Sequence, residues 1–150
     1  MPEKETLERA RQDARQGKSP STQAGEFVRE EMDHIREGKH GARSSKQAIA
    51  IGLSKARRAG VKLPPPKEGT ASERTRTQAE RNFEQGQGLP RTTSVARSRA
   101  TTKALKQEGT DAASHAALSR QAKESARNRG ARSRGQAAKK AARTRTKSSR

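Results

Sequence analysis

The sequence predicts an all-α protein: a small helical hairpin at about residues 21–63, further weak helices, and a disordered basic C-terminal tail. Three observations carry that reading. Large apolar residues are scarce and clustered, with nine of the sixteen Leu, Ile, Val, Phe and Met between Phe27 and Leu63. Within that stretch they recur at helical spacing. Beyond it charge takes over, and residues 127–150 hold ten Lys/Arg and no Asp or Glu.

Composition sets the outer bounds. The chain has 150 residues, net charge +19 and 34% charged residues. Leu, Ile, Val and Phe together supply only 14 residues, far below the roughly 20% at which a strongly charged chain defaults to disorder. One large core is therefore not expected. There is no Cys, Trp or Tyr, which removes a disulfide scaffold and a Cys-based zinc site. The longest apolar run, Ala48-Ile49-Ala50-Ile51, is too short for a secretory or membrane-spanning segment. These features lead us to expect a soluble cytoplasmic protein with no membrane partner.

Taken in order, residues 3–16 favour helix but offer only Leu7 and Ala to pack, so residues 1–20 read as a helical or flexible arm. Gly17 to Pro20 interrupt it, and Ser21 is a candidate N-cap for a helix over 22–37. In that helix Ala24, Phe27, Val28, Glu31, Met32 and Ile35 fall within about 140° of one another at 100° per residue. Gly38 then suits a C-cap. Ser44, with Gln47 three residues on, forms a capping box for a second helix over 45–59. Val61 and Leu63 are placed to fold back before Pro64-Pro65-Pro66, which opens an extended linker. Residues 64–126 hold that linker and weak helices near 72–85, 93–107 and 111–128, each with one or two large apolar residues. Such helices are expected to be transient or induced by binding.

The second helix presents two faces. Ile49, Gly52, Leu53 and Ala56 share the side expected to meet the first helix, with Gly52 permitting close approach. Ile51 points roughly 160–200° away. Either Val61 or Leu63 covers it, or Gln47, Ile51, Lys55 and Arg58 form a contact face for DNA or a partner helix. Polar, basic and apolar side chains on one helix suit major-groove docking. The connection of about seven residues is longer than that of a standard helix-turn-helix.

The tail carries the clearest functional signal. Arg127, Arg129, Arg132, Arg134, Lys139, Lys140, Arg143, Arg145, Lys147 and Arg150 stand without an acidic neighbour. Cationic charge at this density pairs with a polyanion, because neutralised phosphates release counterions. With no Trp or Tyr and only Phe27 and Phe83, single-strand binding by aromatic stacking is disfavoured. Duplex DNA is expected ahead of RNA.

Catalytic chemistry is not visible. The three histidines are His34, His40 and His115, and a helix end separates the first two with no HExxH-type spacing. No metal site, cofactor or small-molecule substrate is expected. A chain this poor in apolar residues does not readily enclose a water-excluding pocket, and the reading is non-enzymatic.

The stretch Gly25 to Pro66, and most of all Ser45-Lys46-Gln47-Ala48-Ile49-Ala50-Ile51-Gly52-Leu53-Ser54-Lys55-Ala56-Arg57, resembles a family of small basic bacterial proteins. Its members contain a domain of unknown function and are often labelled plasmid-stabilisation or DNA-binding proteins. Ser114 to Ala122 and the Arg/Ala-rich end are similar to the longer members. The resemblance implies a bacterial source and a plasmid or nucleoid association, and it supplies no catalytic residues. Together with the tail it leads us to expect a non-enzymatic nucleic-acid-associated protein. The alternatives are a protein-interaction or self-association module with an electrostatic tail, and an RNA- or ribosome-associated protein.

Overall fold

The computed structural model describes residues 1–88 and 94–148, apart from the side chains of Arg132, Thr146, Lys147 and Ser148. Among the described residues there are α-helices, one 3₁₀ turn and no strand. The helices are α1 Lys4–Arg15, α2 Pro20–Arg36, α3 Ser45–Arg58, α4 Glu73–Gly86, α5 Val95–Lys106, α6 His115–Asn128 and α7 Gly130–Ser148. The fold is all-α, as the sequence predicts. No described helix is long and apolar enough to cross a membrane. The chain divides into two units, Met1–Ser114 and His115–Arg150.

The two central helices start and stop for local reasons. α2 begins earlier than the composition suggests, because Ser19 is its N-cap in place of Ser21. The Ser19 hydroxyl accepts from the Thr22 N–H at 3.4 Å, and Pro20 takes the first helical position, where a missing N–H costs nothing. Ser44 caps α3 as expected, its hydroxyl accepting from the Gln47 N–H at 3.2 Å. The Gln47 side chain reaches one residue further back than in a capping box and accepts from the Arg43 N–H at 2.7 Å.

α2 and α3 meet through small residues. The fully buried positions of α3 are Ala48 and Ala56, with Gly52 buried between them, each one turn from the next. A Cβ on Gly52 would lie 2.7 Å from the Val28 Cα, closer than a side chain tolerates. Ile49 and Leu53, expected on this face, are half-buried at its margin. The interface is rotated toward the alanines because the helix axes come closest where the side chains are shortest. Across from them, Ala24, Phe27 and Ile35 of α2 are fully buried.

The hairpin is the centre of a larger unit. The core joins Ala10 of α1 to Ala24, Phe27, Ala56 and Val61, with Leu7, Leu53 and Leu63 packed against it. α1 is thus part of the packed unit and not a free arm. Its helical propensity is supplemented by burial of Thr6 and Ala10 and by the Arg9–Glu26 ion pair at 2.6 Å. Val61 and Leu63 do fold back, but into this core and not over Ile51, which stays half-buried. The buried Arg57 then holds the linker, donating to the Leu63 carbonyl and the Pro64 carbonyl, each at 3.2 Å. That burial pushes the Arg57 guanidinium below its ordinary value.

Downstream segments are recruited unequally. α4, read from sequence as transient, packs on α3 with Ala79 and Asn82 buried. Gly86 lies so close to the Arg57 carbonyl that a Cβ there would overlap it. α5 buries no residue. Its C-terminal end is tied to the loop before α3, where the Gly41 N–H donates to the Leu105 carbonyl at 2.8 Å and the Ala42 N–H to the Gly109 carbonyl at 3.1 Å. The 3₁₀ turn Asp111–Ala113 closes the end of the hairpin. There Arg36 donates to the Ala113 carbonyl at 3.1 Å, and the Ser45 hydroxyl to the Ala112 carbonyl at 2.6 Å.

In the second unit Gly130, at φ +70°, separates α6 from α7. The segment read as a disordered tail is helical to Ser148. Every described side chain of α7 is exposed, so no buried apolar contact supports it. The helix rests on the propensity of its Ala, Arg, Lys and Gln residues.

The close approach at Gly52 is open to test. Gly52→Val should destabilise the protein by at least about 1–3 kcal/mol through overpacking. Gly25→Ala, in α2 where a Cβ meets nothing within 4 Å, should stabilise it by about 0.5–1 kcal/mol. Urea midpoints followed by circular dichroism read both. Equal midpoints for the two variants would refute the close approach.

Candidate nucleic-acid interface

The α3 contact face expected from the sequence does not assemble as one surface. Lys55 turns inward, with Nζ 2.6 Å from Glu31 Oε2 and 3.5 Å from Glu30 Oε1, and only 17% of its side chain is exposed. The helical wheel places Lys55 beside Ile51, but a four-carbon stem lets the ammonium reach across to α2. Gln47 is occupied by the Arg43 N–H. Ile51 is half-buried. Of the four, Arg58 alone is exposed, and its Nε donates to the Ser54 carbonyl at 3.2 Å.

Arg58 instead joins a cleft that sequence reading did not foresee. The cleft, about 700 Å³, is lined by Arg58 and Ser54 of α3, Arg81 and Asn82 of α4, and Arg97 and Thr101 of α5, among other polar residues. No described carboxylate lines it. Three guanidiniums from three helices, with hydroxyl and amide donors between them, make an anion-accepting surface. The three arginines are separated by more than 15 residues in sequence and come together only in the tertiary structure.

The second unit presents the basic tail. The last acidic residue of the chain is Glu124. Arg127 lies in the last turn of α6, and Lys139, Lys140, Arg143 and Arg145 project from α7, all exposed. Lys139, Lys140 and Arg143 fall on one side of the helix at 100° per residue. Two cations are partly engaged with the end of α6. Arg129 donates to the Ser125 carbonyl at 3.3 Å, and Arg134 to the Ala126 carbonyl at 2.9 Å, contacts that complement its negative pole. Arg150 and the side chains of Arg132 and Lys147 lie outside the described residues.

The first unit has a second polar cluster of different composition. Glu31 is fully buried on α2. Its Oε1 lies 3.2 Å from His40 Nε2 and its Oε2 lies against Lys55. Neither contact has the alignment of a hydrogen bond, and both oxygens are buried without one. His34, one turn after Glu31, packs edge-on against His40 with ring centroids 6.1 Å apart. The helix end that separates the two histidines in sequence folds His40 back beside His34. A pairing of Glu31 and His34 at i, i+3 was the available sequence signal.

Residues 15–67 match a family of unknown function, DUF6496. The segment whose sequence resembles small basic bacterial proteins lies within this match, which covers α2, α3 and the start of the linker. No curated protein and no solved structure gives a significant match.

The Lys55 contact generates an expected outcome. Lys55→Met strands two buried carboxylates, and breaking a buried ion pair costs about 3–5 kcal/mol. Adding Glu31→Gln in that background should recover part of the loss, since one stranded charge is then gone. Urea denaturation of the two variants checks this. A Lys55→Met protein as stable as wild type would show that the pair does not hold α3 to α2.

Proposed function

We propose that this chain is a non-enzymatic nucleic-acid-associated protein that binds phosphates with little sequence preference, duplex DNA ahead of RNA. The observation that carries the reading is the tail: ten Lys/Arg and no Asp or Glu in residues 127–150, with every described side chain of α7 exposed. The carboxylate-free cleft of Arg58, Arg81 and Arg97 supplies a second set of phosphate donors on a folded scaffold. In this reading the tail gives affinity and association rate through counterion release, and the cleft orients the bound strand. The lack of Trp and Tyr favours backbone contacts over base stacking. Plasmid or nucleoid maintenance in the bacterial cytoplasm is the setting we propose.

A second reading is supported by Val95, 63% exposed on α5, and by the half-buried Ile51. In it the helical unit docks on a protein or a second copy, and the tail adds only electrostatic adhesion. Sedimentation of the free protein as a dimer would favour it.

Binding to a mixed-sequence DNA duplex, followed by fluorescence anisotropy across a salt series, tests the first reading. If six or more phosphates are engaged, affinity should fall by about 10³ between 50 and 200 mM salt. A chain ending at Ala126 should lose most of that slope. Replacing Arg58, Arg81 and Arg97 by Gln should reduce the slope by up to about one per arginine. Equal slopes for the full and shortened chains would sink the tail reading.

A further inference from the structure

We propose that Glu31, His34 and His40 bind a divalent transition-metal cation of the zinc class, in a site that fastens the end of α2 to the loop before α3. The proposal stands apart from the nucleic-acid reading. One donor atom from each of the three residues lies within 4.8 Å of the other two. Two imidazoles and a carboxylate form a ligand set suited to such a cation, with a fourth position left for water.

The hydrogen bonding around the histidines points the same way. His40 Nδ1 lies 3.1 Å from the Gly41 carbonyl, which can only accept, so Nδ1 carries a proton. Nε2, the nitrogen 3.2 Å from Glu31 Oε1, is then a lone pair in the neutral ring. A lone pair facing a carboxylate oxygen at that distance repels it unless a cation or a second proton lies between. His34 is held in a similar way. Its Nε2 lies 2.9 Å from Glu3 Oε1, which also accepts from the Lys39 ammonium at 3.2 Å. Glu3 therefore stays an acceptor and leaves His34 Nδ1 as the free donor atom. A carboxylate or carbonyl behind each ligating histidine is the usual outer shell of a metal site.

Glu31 supplies the independent sign. It is fully buried, and neither carboxylate oxygen has a hydrogen bond. Lys55 at 2.6 Å offsets charge at Oε2, while Oε1 faces the histidines. Bonds of about 2.0–2.1 Å in a tetrahedral site set ligand atoms roughly 3.4 Å apart. Glu31 Oε1 and His40 Nε2, at 3.2 Å, already have that spacing. The bound cation would link α1, through Glu3, to α2 and to the loop before α3.

The test uses the full-length protein with Zn²⁺ by calorimetry and Co²⁺ by visible absorption. We expect one site per chain, a tetrahedral Co²⁺ spectrum, and a melting temperature raised by Zn²⁺ and restored by a chelator. Glu3→Gln should weaken binding about 10- to 100-fold, the effect of losing an outer-shell partner. His34→Asn and His40→Asn should each weaken it further, and His115→Asn should leave it unchanged. Should a histidine variant fail to fold, nitrogen-15 shifts of the wild-type imidazoles on adding Zn²⁺ read the same ligands directly. The proposal is overturned if Zn²⁺ binds the His34→Asn/His40→Asn protein as tightly as wild type, or if the His40 ring carries both protons at neutral pH and Zn²⁺ leaves its shifts unchanged. In the second case a proton occupies the gap and the cluster is an ion pair only.

Discussion

The close contact of α3 with α2 at Gly52 is the constraint on which the first unit depends. With 14 Leu, Ile, Val and Phe in 150 residues, the protein has few large side chains with which to exclude water. It compensates by shortening the distance between helices. Ala48, Gly52 and Ala56 let the backbone of α3 lie against Val28, so that dispersion contacts run between main chains and small side chains. That approach positions Phe27 and Val61 in one core with Ala10 of α1. It also brings Lys55 within reach of Glu30 and Glu31.

Charge is sorted by position along the fold. All but one of the 16 acidic residues precede α6, and several are used inside the first unit: Glu26 with Arg9, Asp13 with Lys18, Glu31 with Lys55. In the first two the cation stays about half exposed, and solvent-screened pairs contribute little individually. The Lys55 contact differs, because its carboxylate partner is fully buried. Of the other cations, ten lie in residues 127–150 and three line the α3–α5 cleft, where no described carboxylate competes with an incoming phosphate.

Much of the fold is legible in the sequence, and the boundary of legibility has a physical basis. Periodic apolar residues and Ser44 mark α3 to within a residue, and Gly38 marks the end of α2. The start of α2 was displaced because Ser19 and Ser21 are both competent caps, and Pro20 between them decides in favour of Ser19. α1 and α4 were undervalued for a common reason. Their buried residues are Thr6, Ala10, Asp13, Ala79 and Asn82, none of them a large apolar side chain. α7 forms a helix on propensity alone, where charge density argued for disorder. The cleft arginines and the Glu31–His34–His40 cluster require tertiary contacts that spacing along the chain does not encode, and the Lys55 ammonium meets Glu31 because its stem reaches beyond its own helical face.

An interface built from alanine and glycine inverts the usual relation between mutation and damage. At Ala24, Ala48, Gly52, Ala56 and Ala113 there is almost no side chain left to remove, so a truncation scan would register Phe27 and Ile35 but pass over these positions in silence. Harm comes from added atoms. Single-base changes that turn Ala into Val or Thr, or Gly into Ser or Ala, enlarge the residue and push the helices apart. Sequence drift in such a protein is therefore limited by the space available, and the positions least free to vary are those whose chemistry is least distinctive.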